Sequence, residues 1–185
     1  MIRALLLQMK PSWRLISRMA GAFALLVVLS HWHAEAGSGT LPAPHSSPIL
    51  TVTGAIANTN AAGSATFDDA MLAALPRHRI VTGTPWYDEP RTFEGPLLRD
   101  VLAAAGANGK TLRVEALNDY AASVPFADAL AYDVIVADRI DGKPIPVRER
   151  GPLFIIYPFD QVPALKTEEF YQRAVWQVKS IEVQH

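Results

Sequence analysis

The sequence predicts one α+β domain, in which short strands and short helices share a single core. Half of the 185 residues are apolar and 19% are charged, so the chain can bury a core of its own. Strand-like and helix-like segments follow one another without the βαβ rhythm of a doubly wound parallel sheet. The chain also has no internal repeat and no second linker, which favours a single domain.

The first predicted elements have clear local patterns. Residues 49–53 are β-branched and apolar, which is typical of a strand. Thr66 and Asp69 have the spacing of a capping box, and apolar residues at helical spacing follow them. We therefore expect a helix over residues 67–75, and then a second strand over residues 78–82.

The best-defined helix lies in the middle of the chain. Pro96 stands where a first helical residue tolerates proline, an apolar face follows, and Gly106 ends the pattern. This predicts a helix over residues 96–105.

Residues 111–117 alternate between apolar and polar, as in a half-buried strand. Asn118-Asp119-Tyr120 then has the chemistry of a turn.

The last third of the chain predicts further short elements. Strands are expected at residues 121–124, 134–140, 153–157 and 175–183. Residues 153–157 form a continuous apolar run, which indicates a central strand. Short helical segments are expected at residues 126–132 and 167–171.

The N-terminal segment has the pattern of a secretory signal peptide. Basic residues precede an uncharged apolar run at residues 19–29, and Ala34-Glu35-Ala36 supplies the small residues of a cleavage site. The alternative is an uncleaved membrane anchor, but a membrane-spanning helix needs about twenty apolar residues, and this run is much shorter. We therefore expect an exported, periplasmic protein that has no stable membrane span after cleavage.

This interpretation divides the chain into three parts. Residues 1–36 are predicted to be the signal peptide, which is removed before Gly37. Residues 37–48 are rich in Gly, Ser and Pro, which predicts a flexible leader. Residues 49–185 are predicted to form the folded domain.

Composition excludes several classes of function. The net charge is −1, from 17 basic and 18 acidic residues, so no strong field attracts nucleic acid. The absence of cysteine excludes disulfides, thiolate metal sites, iron–sulfur clusters and cysteine nucleophiles. No phosphate-binding glycine motif, no serine hydrolase motif and no histidine pair at HxxxH spacing occurs in the predicted domain. The sequence thus assigns neither a catalytic residue nor a metal site.

Charged residues form three local groups. Asp68-Asp69 and Glu168-Glu169 stand where helices are expected to begin, and the helix dipole explains acids there. Lys143, Arg148 and Arg150 cluster in a loop before an apolar strand. Arginine suits bidentate recognition of phosphate or carboxylate, so this loop is a candidate anion site. The alternative is a solvated loop whose charge is balanced by neighbouring acids.

Four sequence phrases stand in a fixed order between residues 49 and 183. They are Phe93-Glu94-Gly95-Pro96, Asn118-Asp119-Tyr120, Asp141-Gly142-Lys143-Pro144 leading to Arg150-Gly151-Pro152, and Ala174-Val175-Trp176. In this order the phrases resemble the oxidoreductase molybdopterin-binding domain, which occurs in sulfite oxidase and in small exported bacterial proteins. The resemblance implies a sulfite oxidase-type molybdopterin-binding fold with mixed short strands and helices.

The resemblance also implies chemistry that this sequence lacks. In catalytic members, a pterin dithiolene and one cysteine thiolate hold molybdenum, and basic side chains hold the pterin phosphate. The thiolate is expected near residues 82–84, where two threonines and a glycine stand, and threonine cannot replace a soft thiolate. Phe154 and Val175 stand where catalytic members commonly have arginine and lysine. The fold therefore transfers better than the chemistry.

Three functions follow as alternatives. One is an oxidoreductase that binds a pterin-type cofactor, molybdopterin by resemblance, or a related small anionic ligand, without a protein thiolate. The second is a metal-free periplasmic module that binds a small molecule for a sensory or transport partner protein. The third is an accessory subunit with no ligand of its own.

The candidate ligand-binding residues lie on three loops that are expected to converge. They are Thr84, Trp86, Tyr87 and Arg91 on the first loop, Asp119 and Tyr120 on the second, and Arg148 and Arg150 on the third. Aromatic walls with a few polar anchors are typical of small-molecule pockets. For Trp86 and Tyr120, packing in the core is an equally good explanation.

Overall fold

The computed structural model describes residues 41–185, which contain eleven strands and four α-helices. The strands are β1 (Leu50–Gly54), β2 (Ala65–Phe67), β3 (Arg77–Thr84), β4 (Tyr87–Pro96), β5 (Thr111–Ala116), β6 (Ala121–Pro125), β7 (Ile135–Ala137), β8 (Arg139–Ile140), β9 (Lys143–Pro144), β10 (Phe154–Ile156) and β11 (Val178–Gln184). The helices are α1 (Asp69–Ala73), α2 (Leu98–Ala104), α3 (Phe126–Ala131) and α4 (Glu168–Arg173). Residues 1–36, the predicted signal peptide, lie outside the described residues.

The strands form three sheets. The largest has the order β2-β1-β11-β5-β6, in which β1 and β11 are parallel and the other neighbours are antiparallel. An antiparallel sheet has the order β3-β4-β8-β9, and β7 pairs with β10 in a third, two-stranded sheet. This arrangement confirms the predicted α+β class. None of the helices within residues 41–185 is long and apolar enough to cross a bilayer.

The core follows the predicted hydrophobic patterns. In β5 the alternating residues Leu112, Val114 and Ala116 are buried, as expected for a half-buried strand. The apolar run at residues 153–157 is fully buried, and its centre forms β10. Burial of such side chains supplies the main favourable free energy of folding.

Strand β4 is the largest departure from the sequence-based expectation. Residues 83–91 were expected to be a loop, yet β3 and β4 form a hairpin that Pro85 and Trp86 close. Pro96, expected to be the first helical residue, is the last residue of β4, and α2 begins at Leu98. Pro90 is tolerated within β4 because the β3–β4 ladder is irregular between the pairs Thr82–Arg91 and Thr84–Tyr87, and β8 pairs only with residues beyond it.

Helix α1 begins at a different residue from the one predicted. Thr66 lies in β2, and Asp68 is the N-cap, because its carboxylate accepts a hydrogen bond of 2.8 Å from the Met71 amide. The predicted strand over residues 134–140 is also divided. Asp138 separates β7 from β8, and its carboxylate accepts two hydrogen bonds of 2.6 Å from Arg77.

The described part of the predicted leader lies against the domain. The amides of His45 and Ser46 donate hydrogen bonds of 2.7 and 3.0 Å to Asp68 Oδ2, and Leu41 packs against the core. The amides of Met71, Ser46 and His45 lower the pKa of Asp68 despite its burial. Asp68 therefore joins the start of the domain to helix α1.

Candidate functional site

A cleft of about 330 Å³ opens beside the β3–β4 hairpin, the β5–β6 turn and helix α4. Its main side chains are Trp86, Tyr120, Glu168, Tyr171, Gln172 and Trp176. The volume lies at the lower end of the range for small-molecule sites, about 300–1,000 Å³. Two of the three predicted loops, those with Trp86 and Tyr120, meet at this cleft.

Three aromatic rings form adjacent walls of the cleft. The Trp86 ring centroid lies 5.4 Å from that of Trp176, with an interplanar angle of 73°. The distance from Trp86 to Tyr171 is 6.3 Å and the angle is 80°. Trp86 also packs on the buried ring of Phe154 at 5.3 Å. Trp86 thus packs on the core with one part of its ring and also lines the cleft.

Polar groups form the rim of the cleft on helix α4 and the β5–β6 turn. The Tyr120 hydroxyl donates a hydrogen bond of 3.2 Å to the backbone carbonyl of Gln172, which joins the two elements. Gln172 Nε2 donates a hydrogen bond of 3.1 Å to Glu168 Oε1 and so orients the carboxylate. Glu168 is the one acidic or basic side chain among the lining residues.

The two predicted arginines do not line the cleft. Arg148 has an 84% exposed side chain and pairs with Glu149 at 3.3 Å. The Arg150 guanidinium carbon lies 5.0 Å from the ring centroid of Tyr87 and 5.8 Å from that of Trp176. Arg150 therefore makes cation–π contacts with these two rings. The third predicted loop thus contacts the first through Arg150 and Tyr87, but neither arginine is among the lining residues of this cleft.

Three other predicted residues also lie outside the cleft lining. Tyr87 and Arg91 are in strand β4 rather than in a loop, and the Arg91 guanidinium carbon lies 5.4 Å from the Tyr87 ring centroid. Arg91 pairs with Asp141 at 2.8 Å. Asp119 has a left-handed backbone with φ of 64°, and its carboxylate accepts a hydrogen bond of 2.7 Å from Lys179. Asp119 and Arg91 thus have structural partners of their own.

The two threonines at the end of β3 differ in their contacts. Thr82 Oγ1 accepts a hydrogen bond of 3.1 Å from the Asp160 amide, and the Gly83 amide donates one of 2.7 Å to the Asp160 carboxylate. Lys166 and the Gly83 amide lower the pKa of Asp160. In contrast, Thr84 Oγ1 is buried and has no hydrogen-bond partner within residues 41–185. The predicted site residue Thr84 is not among the lining residues, although its neighbour Pro85 is.

The family model of the oxidoreductase molybdopterin binding domain matches residues 59–160. The chain belongs to this family. Its fold, of the sulfite oxidase type, is similar to that in the crystal structure of the sulfane dehydrogenase SoxCD from Paracoccus pantotrophus, with a TM-score of 0.56 and 20% sequence identity. The match covers 73% of this chain and 37% of that chain, so this protein corresponds to about a third of the larger one. No curated protein matches the sequence.

The residues of this family member do not fit a protein-ligated molybdenum. The segment of residues 82–84, where the resemblance implies a cysteine, offers only hydroxyl groups, and the chain has no cysteine. A threonine hydroxyl is a hard oxygen donor and not a soft thiolate. No group of three or more His, Asp or Glu side chains within residues 41–185 is arranged to hold a metal ion. The residues that line the cleft also include no basic side chain for a pterin phosphate.

Sequence reasoning missed four of the six main cleft side chains in this oxidoreductase molybdopterin-binding domain. Glu168, Tyr171, Gln172 and Trp176 were not among the candidates, although all four line it. They come from the last twenty or so residues, whose position beside the β3–β4 hairpin depends on long-range packing of Trp176 on Phe154. The one local signal was the pair of acids followed by two aromatic residues at the start of a short helix, Glu168-Glu169-Phe170-Tyr171.

Proposed function

We propose that this protein is an exported, metal-free ligand-binding module of the oxidoreductase molybdopterin-binding family. The observation that carries the proposal is the cleft between Trp86, Tyr171 and Trp176, because a concave site with aromatic walls and few polar groups is typical of small-molecule binding. The absence of any thiolate favours binding over molybdenum chemistry. In this proposal, a partner protein in the periplasm recognises the ligand-bound module or receives the ligand from it.

The second candidate is an oxidoreductase that holds molybdopterin or a related small anionic ligand without a protein thiolate. The family makes a pterin ring a candidate ligand, and a planar ring suits the walls formed by Trp86 and Trp176. The charges favour the first candidate, because Glu168 is the charged group of the lining and Arg150 lies outside it. A phosphate would therefore meet a carboxylate in the cleft.

The test is to purify the protein from its native compartment and to measure both metal and ligand. Native mass spectrometry is expected to detect a small bound molecule, and metal analysis is expected to find far less than one molybdenum per chain. Trp86→Phe, which keeps an aromatic wall, should retain the ligand better than Trp86→Ala. Arg148→Ala is the matched control, since this exposed side chain lies outside the cleft lining. Stoichiometric molybdenum with oxidoreductase activity would contradict the proposal.

A further inference from the structure

We propose that the cleft selects an organic cation, in particular a small ligand with a methylated ammonium group. This inference rests on the proposed function, because it names the class of ligand that the same cleft binds. It follows from two independent features, the arrangement of the aromatic rings and the sign of the charge at the rim.

The rings form walls that suit a rounded cation better than a flat ring system alone. Trp176 and Tyr171 are both nearly perpendicular to Trp86, at 73° and 80°. These pairs pack edge to face with centroids 5.4 and 6.3 Å apart, so a methylated ammonium group would lie against the cleft side of the rings and not between them. Aromatic faces are electronegative at their centres, so each contact favours a positive charge.

The rim adds a fixed negative charge. The Glu168 carboxylate is oriented by Gln172, and within residues 41–185 it has no ion-pair partner. Two basic side chains lie nearby, and neither is among the lining residues. Arg173 on the same helix pairs with Asp128 and Glu169, and Arg150 lies over Tyr87 and Trp176 outside the cleft. A cation therefore gains attraction from Glu168, and an anion is repelled.

The aromatic cluster already stabilises one cation. The guanidinium of Arg150 lies 5.8 Å from the Trp176 ring centroid, within the distance of about 6 Å at which cation–π attraction operates. The cluster thus has the electronic character that the proposed ligand requires. The cleft volume of about 330 Å³ accommodates a ligand of the size of choline.

The experiment compares choline with its uncharged isostere 3,3-dimethylbutan-1-ol, which has the same shape but no charge. Binding to the purified protein is measured by calorimetry and by tryptophan fluorescence, because Trp86 and Trp176 both line the cleft. We expect choline to bind at least about tenfold more tightly than the isostere. Glu168→Gln should weaken choline binding about fivefold and leave binding of the isostere unchanged.

Glu169→Gln is the matched control, because this neighbouring acid of helix α4 pairs with Arg173 and does not line the cleft. It should bind choline like the wild type, and thermal unfolding should show that both variants are folded. Equal binding of choline and the isostere, or no effect of Glu168→Gln, would overturn the cation proposal. The proposed function would survive that result if a molecule retained by the native protein is lost in Trp86→Ala, and it would fail if Trp86→Ala retains it.

Discussion

The hydroxyl of Tyr157 donates a hydrogen bond of 2.8 Å to Asp128 Oδ2 in the interior of the domain. Arg173 donates a second hydrogen bond of 3.0 Å to the same oxygen. The three residues belong to α3, to the segment after β10 and to α4, so the network holds helix α4, one wall of the cleft, to the core. Burial and the Asp128 carboxylate both raise the pKa of Tyr157, which keeps the hydroxyl protonated as a donor.

Tyr157→Phe should therefore lower the free energy of unfolding by about 1.5–3 kcal/mol, the typical contribution of a hydrogen bond to a charged group. Urea denaturation at pH 7 measures this change. Tyr132→Phe is the control, because within residues 41–185 the Tyr132 side chain packs on Phe170 and makes no hydroxyl hydrogen bond. Equal losses in the two variants would contradict the role of the Tyr157 hydroxyl.

Gly95 allows strand β4 to approach β7 closely. A Cβ atom at this position would lie 2.0 Å from the carbonyl oxygen of Val136 and 2.8 Å from Ala137 Cα. Gly95→Ala must therefore separate two backbones, and we expect a loss of at least about 1–3 kcal/mol in unfolding free energy. At Gly83 an added Cβ would lie 3.7 Å from the Asp160 carboxylate, an ordinary contact. Gly83→Ala should thus cost much less, and an equal cost in both variants would contradict this explanation.

The sequence predicted elements with a strong local pattern and missed those set by distant partners. The alternation in β5 and the apolar run around β10 identified both strands, because burial of one face or of both faces produces such patterns. Strand β4 was missed because Pro90, Gly95 and Pro96 are poor strand residues. Its pairing with β3 and its close approach to β7 override that local preference.

The sequence likewise predicted some residues of the candidate site and missed others. Trp86 and Tyr120 were among the predicted residues. Each stands in a turn between two strands, and the fold brings both turns to the cleft. Arg150 was a candidate for anion binding, with a solvated loop as the alternative, and its guanidinium packs on Tyr87 and Trp176. Residue type in a loop indicates which contacts a side chain can make, but it does not give the direction in which the side chain points.

Asp68 should make stability depend on pH in the acidic range. Its pKa in the folded protein is lowered, first by the Met71 amide and then by the amides of Ser46 and His45. The stabilisation is therefore complete above the unfolded pKa of about 3.9 and is lost as the pH falls through the folded pKa. We expect the stability advantage of the wild type over Asp68→Asn to be constant between about pH 5 and pH 7 and to shrink below about pH 4.

Urea denaturation across this range measures that difference. Asp69→Asn is the control, since the exposed neighbour of Asp68 does not cap the helix. An advantage over Asp68→Asn that does not change with pH would show that the carboxylate charge is not what stabilises this part of the fold.

The export prediction concerns the first residues of the mature protein. Because Ala34-Glu35-Ala36 has the pattern of a cleavage site, the protein recovered from cells should begin at or close to Gly37. N-terminal sequencing of the periplasmic fraction measures this directly. Recovery of the uncleaved chain from the membrane fraction alone would instead favour the membrane anchor.

Thr82 and Thr84 offer a matched pair of substitutions at the position where the family resemblance implies a metal-binding cysteine. Thr82 Oγ1 accepts a hydrogen bond from the Asp160 amide, whereas the buried Thr84 Oγ1 has no partner in the described part of the chain. Valine has nearly the same shape as threonine but lacks the hydroxyl. Thr82→Val should therefore lower the unfolding free energy by about 1–3 kcal/mol, because it leaves the Asp160 amide without its acceptor. Thr84→Val should be neutral or stabilising by up to about 1 kcal/mol, because it removes a buried polar group that gains nothing from the fold.

The same two variants also test whether the Thr84 hydroxyl contacts the ligand. If the Thr84 hydroxyl has a partner only in the complex, Thr84→Val should weaken binding of the native ligand while it leaves the stability of the free protein unchanged or higher. Calorimetry with that ligand, together with urea denaturation of both variants, separates the two effects. A loss of stability in Thr84→Val comparable with that in Thr82→Val would show that the hydroxyl is already satisfied in the free protein.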